Sequence, residues 1–223
     1  MRVGLSGREH NYPGGLMSGK ASVDPSVRMR ILDAAAAEFT RRGFAKTTID
    51  DIARAVGATK GLIYYYFSSK FDIFLGGYEQ GMHAVKEAVE PLADSAGSGL
   101  ERLNSMATAH VVNLMKNANY HHLIHQGVRD QSSESLTVRQ RDALMDLNQL
   151  RKDYEMMFRE VVQTGISDGS LRTVDPGLCA RVLLSNLNAV DMWYREQGSQ
   201  DDHEIRGMAA EIVDFVINGV SAR

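Results

Sequence analysis

Residues 48–67 read Thr-Ile-Asp-Asp-Ile-Ala-Arg-Ala-Val-Gly-Ala-Thr-Lys-Gly-Leu-Ile-Tyr-Tyr-Tyr-Phe. Thr48 precedes an apolar-periodic run, and Asp51 stands three residues on. That is capping-box spacing, with aspartate in place of the usual glutamate. The spacing predicts a helix over Ile49–Val56 that stops at Gly57, a residue suited to a left-handed cap. Thr59 then opens a second short helix from Lys60 to Phe67. A turn as short as Gly57-Ala58-Thr59 sets two helices at a steep angle. Ile52, Ala53, Val56, Ile63 and Phe67 form the apolar interface between them. Lys60, Gly61, Tyr64 and Tyr65 recur at i, i+1, i+4 and i+5, so they share the opposite face. Four consecutive aromatic residues span all sides of a helix. Tyr66 and Phe67 are therefore assigned inward, and Tyr64 and Tyr65 outward.

The outward face has the chemistry of a polyanion reader. A cation at a helix N-terminus opposes the dipole, so Lys60 makes sense beside an external anion. Gly61 permits close backbone approach, and tyrosine hydroxyls reach phosphate oxygens. Leu62, between the two faces, is placed to touch a thymine methyl. Lys70 opens the next helix, where backbone amides also point at an anion. Thr47 and Thr48 stand in the same relation to the preceding helix. Charge is distributed to match. Residues 25–75 carry eight Lys/Arg against five Asp/Glu, and residues 76–223 carry 14 against 21, within a net charge of −3. A basic segment on an acidic body points to one end meeting a polyanion.

Outward from this stretch, the pattern is helical throughout. Val27, Ile31, Ala34, Ala35 and Phe39 form one stripe that ends at Gly43. Further helices are expected from Lys70 towards Pro91, over 100–117, 120–130 and 135–167, from Pro176 to Glu196 and over 202–221. Asp175-Pro176 supplies a cap followed by proline at the first helical position, and Gly198 breaks the helix that follows. The fold expected is all-α, with nine helices. Residues 1–24, with five glycines and no apolar period, read as a flexible arm, and Met17 offers a second possible start. Residues 25–75 and 76–223 are the two domains expected. No run of about 18 apolar residues occurs to span a bilayer, and no secretory signal is visible. The single cysteine, Cys179, leaves no internal disulfide and no cysteine-built zinc site. These features favour the cytoplasm.

Residues 28–75 resemble the DNA-binding domain of the TetR family of bacterial transcription regulators. The likeness lies in Ile31-Leu32-Asp33-Ala34-Ala35, Phe39, Gly43-Phe44 and Thr47 to Ala53. It continues through Ala55-Val56-Gly57, Thr59 to Phe67, Ser69-Lys70 and Leu75. The resemblance implies a nine-helix TetR-type fold and a ligand-responsive regulator, a repressor released from a palindromic double-stranded operator by a small molecule. The DNA-binding residues implied or read above are Thr47, Thr48, Thr59, Lys60, Gly61, Leu62, Tyr64, Tyr65 and Lys70. Leu62 fills a slot often small and polar, and Tyr65 and Tyr66 fill slots where histidine is common. Both leave the operator sequence open.

Residues 76–223 are then the ligand-binding and dimerisation domain. In the family, the last two helices pair with their twofold mates. Leu183, Leu187, Val190, Ile205, Met208, Ile212 and Phe215 are the residues expected at that homodimer interface. Effector contacts are expected among Tyr120, His121, His125, Arg129, Tyr154, Phe158, Asn186 and Trp193, with His122, Met157, Asn188 and Tyr194 as further pocket candidates. Asn186 to Tyr194 is similar to regulators of fatty-acid, steroid and aromatic-acid catabolism, which implies an acyl-CoA or hydrophobic carboxylate. His121 and His125, at i and i+4, have the spacing of a metal pair, with Asp130 or His110 as third ligand. They are read instead as polar contacts, with no metal and no cofactor. A regulator or architectural factor without an effector is the competing reading, and a filled core in 76–223 is what it requires. An enzyme built on His121, His122 or His125 lacks a nucleophile elbow, phosphate loop or paired-carboxylate motif.

Overall fold

The structure, a computed structural model, describes residues 24–129, 136–195 and 200–218. The arm up to residue 23, the third-ligand candidate Asp130, the helix end at Glu196 and the break at Gly198 lie outside the described residues. So does the Arg129 side chain.

Ten helical segments and no strand occur among the described residues. Three make the head: α1 (Pro25–Arg42), α2 (Ile49–Val56) and α3 (Lys60–Tyr66). The body contains α4 (Lys70–Ala93), α5 (Gly99–Lys116), α6 (Ala118–Arg129), α7 (Val138–Ser167), α8 (Pro176–Asn188), a single turn α9 (Val190–Trp193) and α10 (Asp202–Asn218). The helix expected over 176–196 is thus interrupted at Ala189. The other eight expected helices are each present.

Local chemistry fixes the ends. The Thr48–Asp51 capping box forms, and Gly57 closes α2 at φ +71°, which only glycine adopts readily. Thr59, Ser69 and Asp175 cap α3, α4 and α8 through their side chains. The N-terminus of α5 is capped twice. Ser98 and Glu101 form a capping box, and the Gly99 and Leu100 amides donate to Asp168 and Ser170 beyond the end of α7. Here Gly99 and Gly165 meet backbone to backbone: a Cβ on Gly99 would fall 2.2 Å from the Gly165 nitrogen.

Helix α4 serves both domains. Its first turns pack Phe71 and Phe74 against Phe39 and Phe44 in the head. Its later turns bury Met82, Val85 and Val89 in the body. The boundary expected at 75/76 therefore falls inside one continuous helix. Gly77 and Gly81 let α6 approach it closely, since a Cβ at either would crowd Leu123, Tyr120 or Ile124. Tyr120 on α6 in turn hydrogen-bonds Asp33 on α1, a second tie between body and head. Among the described residues, no helix is long and apolar enough to cross a membrane.

Candidate nucleic-acid interface and effector cavity

Helix α3 presents the face expected of it. Ile63 and Phe67 are buried, whereas Tyr64 is 49% exposed and Leu62 and Tyr65 are each 37% exposed. Gly61 faces outward with nothing inside the protein requiring a glycine. A Cβ there would meet only the Thr59 hydroxyl, at 3.8 Å. Lys60 bonds Asp50 of α2 across 3.1 Å, with both side chains at least half exposed. The carboxylate raises the Lys60 pKa through that hydrogen bond, so the ammonium remains charged. An incoming phosphate has only to displace an exposed partner, and exposed ion pairs are worth little.

Two expected contacts are corrected. Thr47 is 1% exposed, and its hydroxyl donates to the Gly43 and Glu38 carbonyls. It holds the α1–α2 turn and offers nothing to a phosphate. The Lys70 ammonium donates to the Phe44 and Thr47 carbonyls at 2.7 and 2.8 Å and sits over the Phe44 ring. Its burial lowers its pKa. Lys70 therefore staples α4 to the head. Thr48 and Thr59 remain at the surface as helix caps. Lys46, missed in the sequence, is exposed on the same turn, and no ion pair is found for it among the described residues. Most head cations are paired, as Arg41, Arg42 and Arg54 are with Glu38 or Asp51. The hydrogen bond from Thr48 pulls the Asp51 pKa down to about 2.

The body carries a half-open pocket of about 420 Å³ lined by residues of α4 to α9. Met82, Val85, Ile124 and Leu184 give it apolar walls. Polar groups converge on it from His110, His121, Arg151, Tyr154 and Asn188. Tyr154 bonds His110 Nδ1 at 2.9 Å, and His110 Nε2 reaches the Asn188 oxygen at 3.2 Å. Burial holds the His110 pKa down at about 4 and that of His121 well below its ordinary value. Both rings are neutral near pH 7. A larger crevice of about 790 Å³ lies between α1 and the body, lined by Asp33, Tyr120, His122, His125, Asp191 and Arg195. His125 and Met192 border both spaces.

Of the expected effector residues, His121, His125 and Tyr154 line the cavity, and Tyr120 lines the crevice. Phe158 is fully buried behind Tyr154. Asn186 and Trp193 are exposed and border neither space. His121 and His125 each make a polar contact. His121 Nε2 bonds Asn113, and His125 bonds Asp191. Asn188, a pocket candidate in the sequence, also lines this space, whereas Arg151 was missed. Nothing in the spacing of Arg151 separates it from the other polar positions on α7.

The dimer stripe is also corrected. Leu183, Leu187, Val190 and Ile205 are at most 8% exposed within one chain, because the inner faces of α8 and α10 pack on the body. Met208 and Ile212 are half-buried. Phe215, of the expected set, is free at the surface, and Leu178, Val182, Met192 and Trp193 join it from outside that set; each of the five is more than half exposed.

The family described as bacterial regulatory proteins, tetR family, matches residues 31–76. The tetracyclin repressor-like C-terminal domain matches residues 96–220. The chain is 27% identical over 205 residues to the HTH-type transcriptional repressor KstR2 of Rhodococcus jostii (strain RHA1), covering 87% of this chain and 91% of that protein. It is 21% identical over 194 residues to the fatty acid metabolism regulator protein of Bacillus subtilis (strain 168), covering 86% and 94%. Among solved structures it is similar to the TetR family regulator PfmR of Thermus thermophilus, with TM-score 0.73, 27% identity and coverage of 86% and 100%. With a basic helix-turn-helix head, a shared α4, and matches across both domains, the chain belongs to the tetR family of bacterial transcription regulators, which bind DNA.

Proposed function

We propose that this protein is a homodimeric repressor that reads a two-fold operator through α3 and leaves it when an apolar carboxylate or acyl thioester enters the body. The observation that carries this reading is the half-open 420 Å³ pocket. Its size lies within the range of small-molecule sites, and it combines apolar walls with a few convergent polar groups. A regulator without an effector calls for a filled core at that place. The relation to a fatty acid metabolism regulator supports an apolar acid. The exposed strip on α8, α9 and α10 supports a second copy of the chain as its cover. This reading places the protein in the cytoplasm and assigns no catalytic step to His121, His122 or His125.

Helix α4 transmits the signal. It is rooted in the head by Phe71, Phe74 and Lys70, and it forms one wall of the cavity through Met82 and Val85. A ligand that favours a different tilt of α4 changes the separation of the two α3 helices. By linkage, DNA then weakens the ligand by the factor by which the ligand weakens DNA. The test is a thermal-shift screen of free acids and acyl-CoAs, followed by anisotropy of a labelled operator with each hit. A hit that stabilises the protein and releases the DNA is expected. Hits that bind free and DNA-bound protein equally contradict release through α4.

A further inference from the structure

Two buried polar groups beside the cavity have no partner of hydrogen-bonding geometry. They are the Tyr78 hydroxyl on α4 and the Arg151 Nε on α7, both sealed from solvent. They are neighbours: burial raises the Tyr78 pKa, and the charge of the Arg151 guanidinium and a loose hydrogen-bonding contact with it oppose that rise. Arg151 itself lines the cavity. Among the described residues it has no ion pair, and Glu155, the carboxylate on the same wall, bonds Arg181 instead. Native interiors leave few polar groups unsatisfied, and each one calls for an explanation. A half-buried guanidinium whose Nε lacks a partner gains from an acceptor that completes it.

The neighbouring network adds a donor of fixed direction. Neutral His110 accepts from Tyr154 at Nδ1, so its Nε2 carries the proton and donates to the Asn188 oxygen. Asn188 lines the pocket, and with its oxygen occupied its amide nitrogen is what remains to donate. Arg151 and Asn188, from α7 and α8, both line the pocket and ask for the same complement, an oxygen that accepts hydrogen bonds; Tyr78 stands behind Arg151.

We propose that the effector carries a carboxylate or carbonyl oxygen that is received by Arg151 and Asn188, while its carbon skeleton fills the apolar part of the pocket. This rests on the ligand-released reading above and names the group that is recognised. Through Arg151 and the Tyr78 behind it, the oxygen is also coupled to α4. Tyr78 stands two residues beyond Gly76, which packs against Leu32 and Phe67 of the head. His110 is a positioning residue: it sets the Asn188 amide and does not itself meet the ligand oxygen.

The experiment uses three probes of one chain length, decanoate, decanoyl-CoA and 1-decanol, measured by calorimetry on the full chain. Charge-assisted hydrogen bonds are the stronger kind. Wild type is expected to bind decanoate at least about tenfold more tightly than 1-decanol. Arg151→Met should abolish that preference while leaving 1-decanol binding unchanged, and Arg151→Lys should restore part of it. Tyr78→Phe should weaken decanoate severalfold and, by removing an unsatisfied buried hydroxyl, keep or raise the melting temperature of the free protein. A structural role for that hydroxyl would lower it. His110→Phe should weaken decanoate, with partial rescue in His110→Asn. Equal binding of decanoate and 1-decanol overturns the proposal, as do Arg151→Met retaining the preference, a lower melting temperature in Tyr78→Phe, or no binding of any probe. Release of the operator by some other screened ligand would, in those cases, leave the regulatory reading standing.

Discussion

Truncating Phe215 to alanine tests where two chains meet. Phe215 is 60% exposed on α10, and Leu178 and Val182 are likewise exposed on α8. A phenylalanine presents about 200 Å² of surface, so roughly 120 Å² is left for a partner to cover. At about 25 cal/mol per Å², that covering contributes roughly 3 kcal/mol, of which alanine retains about a third. A twofold interface uses the residue twice, so the loss is about 4 kcal/mol per dimer, an upper estimate. The dimer dissociation constant should rise by up to about a thousandfold. The helical circular dichroism should not change, because the side chain touches little of its own chain. Sedimentation over a concentration series reads the constant directly. A Phe215→Ala dimer as tight as wild type would place the interface elsewhere, while Leu183→Ala, aimed at the inner stripe, should lower stability and not dimer affinity.

Other consequences follow from the packing. Gly99→Ala should destabilise by about 3 kcal/mol or more in chemical denaturation, since the new Cβ meets the Gly165 backbone and no side chain can yield; an unchanged midpoint contradicts the close crossing of α5 and α7. Burial holds the His110 pKa at about 4, against 6.5 in the unfolded chain. The unfolded state therefore binds more protons between those values, and stability falls as pH drops from 6.5 to 4, by up to about 3 kcal/mol. A His110→Phe, His121→Phe double variant should melt with a visibly shallower pH slope over that window, and an unaltered slope would mean the rings are not buried neutral. Tyr120→Phe should leave the body folded but loosen α1 from α6, read as faster hydrogen exchange in the head; no change would show that the Asp33 bond is not a tie.

Much of the head was legible because helix caps are local chemistry. Thr48, Asp51, Gly57 and Thr59 name their own roles from spacing alone, and the structure places all four as read. The misreadings arise where a side chain's partner is distant. Lys70 looked like a phosphate hand because its carbonyl acceptors lie more than 20 residues upstream. Thr47 is one residue from a true cap and differs only in pointing inward. On α8 and α10 the apolar stripes were correctly seen, but a stripe does not say whether its cover is the same chain. Leu183 and Leu187 face inward, and the outer strip of Leu178 and Val182 was overlooked because it is sparser. The cavity was least legible. Arg151 and Asn188 lie on different helices, and only the packing brings them to one space.

The central claim is sequence-specific DNA binding through α3, and its most direct measurement is operator affinity against salt. A duplex selected from random sequence should be two-fold symmetric, with half-sites about 10–10.5 base pairs apart or a multiple of that. Fluorescence anisotropy should give an affinity at least about a thousandfold tighter than for a scrambled duplex. Lys60→Ala and Tyr64→Ala should each weaken it without altering dimer mass. Lys60→Ala should also flatten the slope of log affinity on log salt, by about 0.9 for each phosphate that the ammonium no longer neutralises. Equal affinity for selected and scrambled duplexes, or wild-type affinity and slope in Lys60→Ala, would contradict the account.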